Sequence, residues 1–169
     1  MRCIADTAQP RPFADLPPAD LPPVSLRGFR PTDVPFVSAI VADALHEHYD
    51  PTLYQSLSAD WPEGFLIAAD PSDAPVGFLL GVSQIEHEVR VLMFAVDRNH
   101  RTRGVGTLLM GTFLERSRQR AYRRVTLEVR VSNARAIRFY TRYRFSVIDL
   151  LRAYYSDGEN GYQMARDLA

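Results

Sequence analysis

The chain of 169 residues contains no lysine; all 20 basic side chains are arginine. A Walker-type phosphate loop, which needs a lysine, is thereby excluded. The one cysteine, Cys3, lies in a proline-rich leader, so a disulfide within the chain and a cysteine nucleophile inside the folded domain are both excluded. No apolar run approaches the roughly 20 residues of a membrane span. The opening segment has no signal-like apolar region, because Asp6, Pro10 and Pro12 interrupt it. These absences predict a cytoplasmic chain with no membrane partner. His46 and His48 stand two apart on a predicted helix and diverge, whereas a metal pair wants a spacing of three or four. No metal is expected.

Net charge is zero but unevenly spread. Residues 1–89 hold 4 arginines and 13 acids, for a net −9, and residues 90–169 hold 16 arginines and 7 acids, for a net +9. A basic half suits an anionic small ligand or nucleic acid, or it reflects arginines such as Arg116, Arg118, Arg120, Arg123 and Arg124 complementing a helix C-terminus. No aromatic-interleaved platform or groove-reading motif accompanies the charge, which argues against nucleic acid as a partner.

The most informative stretch is residues 91–114, VLMFAVDRNHRTRGVGTLLMGTFL. An apolar run through Val96 reads as a buried strand and is followed by the polar turn Asp97-Arg98-Asn99-His100. Then Arg101-Thr102-Arg103-Gly104-Val105-Gly106-Thr107 opens a helix with apolar residues Val105, Leu108, Leu109 and Phe113 at helical spacing. Strand, basic glycine-rich turn and helix together present unpaired backbone N–H groups to an anion. The glycines allow close approach, the helix N-terminus is partly positive, and Arg101 and Arg103 offer cationic forks. The alternative is a surface turn that merely caps a helix. A dinucleotide fingerprint does not fit, because Leu109 stands where its third glycine would be.

In chain order, residues 1–23 carry six of the 12 prolines and read as a flexible leader, with one domain over residues 24–169. Residues 24–30 predict a strand, Pro31-Thr32-Asp33 a turn whose aspartate can cap a helix, and residues 34–49 that helix. Residues 50–64 hold Leu53, Tyr54, Leu57, Trp61 and Pro62, which either line a groove or pack a short helix onto a sheet. Strands are predicted over 65–69, 76–85 and 88–96, and a helix follows to about residue 121. Residues 122–131 contain an alternating strand, with Leu127, Val129 and Val131 on one side and Thr126, Glu128 and Arg130 on the other. Ser132-Asn133 can cap a helix to about residue 143, on which Asn133, Ile137 and Tyr140 share a face. Closing strands are predicted over 145–153 and 161–166. The order implies an α/β (α+β) protein with a mixed sheet flanked by helices.

The order R-x-x-G-x-G after a strand resembles the acetyl-CoA loop of the GNAT N-acetyltransferases. LEVRVSNARAIRFY, residues 127–140, resembles that family's second signature. AYYSDGENGYQMARDL, residues 153–168, is similar to the C-terminal hairpin of its protein N-terminal members, the RimI-type ribosomal-protein alanine acetyltransferases and their archaeal and eukaryotic relatives. The resemblance implies the GNAT fold, acetyl-CoA as cosubstrate, and a protein or peptide N-terminus, including that of a ribosomal protein, as acceptor. It is compatible with a monomer or a homodimer. It further implies that the backbone of Phe94, Ala95 and Val96 pairs with the pantetheine arm. Arg101, Thr102, Arg103, Gly104, Val105, Gly106 and Thr107 would hold the pyrophosphate, and Asn133 the CoA chain. Tyr140 would lie at the thioester sulfur as general acid, Glu128 would be general base, and Tyr154 and Tyr155 would cover the acceptor.

Two departures stand out. Arg144 occupies the place where the family usually has glycine, and residues 53–61 match no acceptor-recognition pattern. The alternative for Glu128 is a solvent-facing residue on an alternating strand, and for Tyr140 a core tyrosine on an amphipathic helix. With no domain cysteine, direct transfer in a ternary complex is expected, with backbone donors at residues 94–96 for the oxyanion. A small-amine or lysine-side-chain acceptor, or an acyl-CoA-binding module without turnover, are the alternatives.

Overall fold

A computed structural model describes residues 23–46 and 48–168. Apart from Pro23, the expected leader lies outside the described residues. The elements are β1 (Ser25–Gly28), α1 (Val34–Leu45), α2 (Pro51–Asp60), β2 (Phe65–Ala69), β3 (Pro75–Ile85), β4 (Glu88–Val96), α3 (Val105–Gln119), β5 (Arg124–Arg130), α4 (Ala134–Arg142), β6 (Ser146–Leu151) and β7 (Gly161–Asp167). The strands form one seven-stranded sheet in the order β1-β2-β3-β4-β5-β7-β6. Every pairing is antiparallel except that of β4 with β5.

Two cores sandwich this sheet. Val34, Val37, Ile40 and Val41 recur at helical spacing on α1 and pack, with Tyr54 of α2, on Phe65, Ile67, Phe78 and Leu80. On the opposite face, Val105, Leu109, Met110, Phe113 and Leu114 of α3 meet Leu66, Leu79, Val125 and Leu127, and Tyr140 and Tyr143 of α4 extend that core. Period-two alternation assigns β2 to both layers, and all five of its residues are buried. Tyr54 and Trp61 are buried as well, so the aromatics of residues 50–64 pack the connecting helix rather than line a groove.

Three local departures are seen, the first two with clear causes. α1 stops at Leu45, short of the predicted residue 49, because His46 turns left-handed at φ 57°. Asp33 caps no N–H of α1. Its buried carboxylate instead accepts both ends of the Arg27 guanidinium at 2.8 and 2.9 Å and the backbone N–H of Arg30 at 2.7 Å. Val131, expected to continue the inward row of β5, lies just past the end of that strand.

The feature that creates a site is a bulge in β4. Leu80 pairs with Met93 and Gly81 with Val91, which leaves Leu92 as an extra residue. The bulge reverses the alternation: Val89 and Val91 face the α3 layer, whereas Met93 and Ala95 face the α1 layer. Parallel pairing with β5 covers only Glu88–Val91 against Arg124–Leu127. Beyond that rung β4 and β5 separate, while β5 stays paired with β7 through Arg130. The last five residues of β4 therefore border a wedge-shaped gap.

Candidate active site

At the end of β4 the chain enters the glycine-rich turn. Asp97 orders its start, accepting hydrogen bonds from Asn99 N at 2.9 Å and His100 Nδ1 at 3.0 Å. The His100 contact chiefly holds the Asp97 carboxyl below its ordinary range. Gly104 sits at φ 84°, a left-handed backbone that glycine adopts without steric cost, and is the N-cap of α3. No side chain caps this helix, so its first-turn N–H groups remain available to an anion. A Cβ on Gly106 would lie 3.3 Å from the Phe94 ring, so the turn and β4 are in close approach.

The arginines divide here. Arg101 turns back, donating from Nε to the Val96 carbonyl at 2.9 Å and lying 3.6 Å from Asp43 of α1. The fork expected at Arg101 therefore braces the turn against β4 and α1. Arg103 is exposed.

Across the gap stands Glu128, the first residue of β5 beyond the paired segment. Its carboxylate is nearly enclosed, 11% exposed, and Oε2 accepts from Arg90 Nε at 2.7 Å. Oε1 has no hydrogen bond among the described residues. A terminal nitrogen of Arg90 also donates to the Tyr154 hydroxyl at 2.8 Å, on the turn between β6 and β7. Tyr154 meets the Tyr155 ring edge-on at 5.1 Å, and the Arg130 guanidinium lies 4.0 Å over Tyr155. Arg130 in turn holds Asp157 and Glu159, each at 2.8 Å.

Tyr140 is buried among Phe94, Phe139 and Phe145. Its hydroxyl makes no hydrogen bond among the described residues. Burial, reinforced by Tyr155, pushes its pKa well above the ordinary phenol value. Burial also pushes Tyr155 up to about 12, with the charges of Tyr154 and Glu128 adding to the effect. Arg130 acts in the opposite direction on Tyr155.

Asn133 caps α4, its side-chain oxygen accepting from Ala136 N at 3.1 Å, which leaves the amide NH2 free to face a ligand. Arg144 adopts φ 61°, the backbone a glycine would take. Around it, Arg144 N donates to Thr141 O at 2.9 Å and Phe145 N to Tyr140 O at 3.1 Å, the paired bonds of a Schellman C-cap. The turn keeps its shape despite the side chain.

The structure therefore brings Glu128, Tyr154 and Tyr155 into one cluster and sets Tyr140 and residues 101–107 on the helix side of the same gap. Arg90 is the member that local sequence did not mark. The signal was a charge between Val89 and Val91 whose partner lies 38 residues away, visible only once β4 and β5 are put in parallel register. Tyr143 was likewise unmarked; its hydroxyl donates to Thr107 O at 2.9 Å in the first turn of α3. Among the described residues no group of three or more histidine, cysteine or acidic side chains could hold a metal ion, and no helix is long and apolar enough to cross a membrane.

Comparisons with known proteins agree with this architecture. Residues 34–145 match the acetyltransferase (GNAT) family. Over 156 residues the chain is 31% identical to the N-alpha-acetyltransferase of Sulfurisphaera tokodaii, covering 85% of this chain and 92% of that protein. The crystal structure of Ard1 from Thermoplasma volcanium superposes with a TM-score of 0.83 at 39% identity, covering 87% of this chain and 99% of that one. The ribosomal-protein-S18-alanine N-acetyltransferase of Escherichia coli shares the fold, with a TM-score of 0.75 at 23% identity over 86% of this chain and 94% of that one. With the β4 bulge, the open gap beside it and the uncapped helix at its mouth already evident in the structure, these matches place the chain in the GNAT acetyltransferase family.

Proposed function

We propose that this chain transfers acetyl from acetyl-CoA to the α-amino group of a protein N-terminus, directly within a ternary complex. The observation that carries the proposal is the gap between β4 and β5. It puts an unpaired strand edge and an anion-ready helix N-terminus beside a carboxylate and a tyrosine-rich turn. Names of relatives such as the Sulfurisphaera tokodaii N-alpha-acetyltransferase support the choice of acceptor.

Acetyl-CoA supplies an acetyl thioester and a thiolate leaving group. The residues present fit it. The edge of β4 at Phe94, Ala95 and Val96 is free of a ladder partner on the β5 side and is suited to hydrogen-bond the pantetheine amides and the developing oxyanion. The N–H groups from Thr102 to Thr107 suit the pyrophosphate, with Arg103 contributing charge. The Asn133 amide suits the CoA chain.

An α-amino group titrates near pH 8, against about 10.4 for a lysine side chain, so an N-terminal acceptor needs only a modest base. Glu128, through its unoccupied Oε1, takes the proton directly or through a water. Tyr140 is protonated at neutral pH, as an ordinary phenol already is, and burial raises its pKa further. An ordinary thiol titrates near 8.5, so complete proton transfer from Tyr140 to a thiolate runs uphill. The role that remains is hydrogen-bond donation to the sulfur as negative charge develops there. Tyr154 and Tyr155 cover the incoming N-terminus. The acceptor class extends to ribosomal proteins, and the setting is cytoplasmic.

The test is kinetic. Glu128→Gln and Tyr140→Phe should lose turnover while retaining CoA affinity measured by calorimetry, and initial-rate plots should intersect. Parallel, ping-pong plots would contradict direct transfer, and no turnover in the unmodified protein would leave an acyl-CoA-binding module.

A further inference from the structure

We propose that Arg90 is the positioning residue of this site, fixing Glu128 on β5 and Tyr154 on the β6–β7 turn with one guanidinium. The proposal rests on the acetyl-transfer reading for what Glu128 does, but the bridge itself is geometric. Arg90 pairs in register with Thr126, on the row of β5 that also carries Glu128. Val91–Leu127 is the last paired rung and beyond it the strands part, so Glu128 loses β4 as a neighbour just where it borders the gap. Nε of Arg90 reaches diagonally across and restores the connection at 2.7 Å.

A carboxylate with one oxygen held and the other open is oriented without being blocked. Among the described residues only Oε2 is engaged, and Oε1 is open to an amine. A terminal nitrogen of the same group reaches Tyr154 Oη at 2.8 Å. Tyr154 is 42% exposed and sits on a turn. Its other aromatic contact is Tyr155, which Arg130 covers. Arg90, on the paired part of β4, therefore ties down two groups that no rung of β4 reaches, Glu128 of β5 and Tyr154 of the hairpin turn. The planar guanidinium fork can serve two partners at fixed angles, which a lysine point charge cannot. Among the described residues Arg90 makes no hydrogen bond or ion pair to the glycine-rich turn or to α4; its polar partners are Glu128 and Tyr154.

Steady-state kinetics on the unmodified protein, Arg90→Gln, Arg90→Lys, Glu128→Gln and the Arg90→Gln/Glu128→Gln double variant test this, with an N-terminal peptide as acceptor. Arg90→Gln should lower kcat by about tenfold to a hundredfold, the upper figure being the scale of a catalytic group misplaced by about 1 Å. It should leave the KM for acetyl-CoA and the Kd for CoA within about twofold, which also reports that the variant is folded. The acceptor KM should rise as Tyr154 is released. Arg90→Lys should recover part of kcat but not the acceptor KM. In the Glu128→Gln background, Arg90→Gln should cost nothing more in kcat. An unchanged kcat in Arg90→Gln, or the same loss with and without Glu128, would overturn the proposal.

A readout without acceptor separates this proposal from the reading beneath it. In NMR spectra of the CoA complex, the Arg90 Nε–H signal should be protected from solvent exchange and lose that protection in Glu128→Gln. If the unmodified protein acetylates no N-terminus, the functional reading fails and this signal alone decides whether the bridge exists. An unprotected Nε–H in the unmodified protein overturns it.

Discussion

The hydroxyl of Tyr143, at the end of α4, donates to the carbonyl of Thr107 in the first turn of α3 at 2.9 Å. The helix that ends beside Tyr140 is thereby tied to the helix that begins at the glycine-rich turn. Tyr143→Phe removes the donor and leaves a partly buried carbonyl without its partner. A loss of about 0.5–1.5 kcal/mol in denaturant unfolding is expected. The KM for acetyl-CoA should rise with it, because the first turn of α3 loses a brace. An unchanged KM would show that the two helix ends are held independently.

Arg144→Gly should stabilise the protein. A non-glycine residue in the left-handed region costs about 1–2 kcal/mol. Glycine returns about 0.5–1 kcal/mol of that through its more flexible unfolded chain. The net gain should lie between about zero and about 1.5 kcal/mol, read as a shift in the urea midpoint without change in slope. Activity should be retained, since the Arg144 side chain points into solvent at a C-cap whose backbone bonds are already formed.

Gly104→Ala should act in the opposite direction. At φ 84° an alanine is strained by about 1–2 kcal/mol and will tend to relax the turn away from its present shape. Calorimetry should show CoA binding weakened, while the far-UV circular dichroism spectrum stays that of a folded protein. Unimpaired binding would mean the turn is not the anion site.

The hairpin turn should loosen in acid. Hydrogen bonds from Ser132 and Arg130 hold Glu159 below its ordinary pKa, and the Glu159 N–H and Arg130 do the same for Asp157. A carboxyl whose folded pKa is depressed stabilises the fold above its unfolded value, near 4, and that stabilisation is lost as pH falls through the folded value. Amide protection in residues 155–160, taken relative to the intrinsic exchange rate at each pH, should therefore fall below about pH 4. In Asp157→Asn/Glu159→Gln that pH-dependent loss of protection should be absent.

Much of this architecture was legible because its causes are local. The spans of β2 and β4 follow from apolar runs bounded by turns, and the glycine-rich turn followed by a 3.6-residue period announced α3. The Asn133 cap could also be read directly, whereas Arg144 was marked only by standing where the resembling family usually has glycine, and its left-handed backbone came from the structure. What was hidden is non-local. The apolar run through Val96 gives no sign that Leu92 is bulged, so the reversal of faces and the gap it opens cannot be read from that segment. The orientation of Arg101 depends on Asp43, 58 residues earlier in the chain, and on Val96 O. The burial of Glu128 depends on Arg90 and on the hairpin. Asp33 looked like a helix cap because its spacing is right, but two arginines outbid the helix for its oxygens.

The most direct measurement is CoA-thiol release from acetyl-CoA with paired peptides. One set has free alanine or serine N-termini; the other carries the same sequences N-blocked, with an internal lysine. The gap, the carboxylate at its edge and the modest basicity it must overcome predict release with the free N-termini alone. Release with only the blocked peptides would contradict the account and move the acceptor to a lysine side chain.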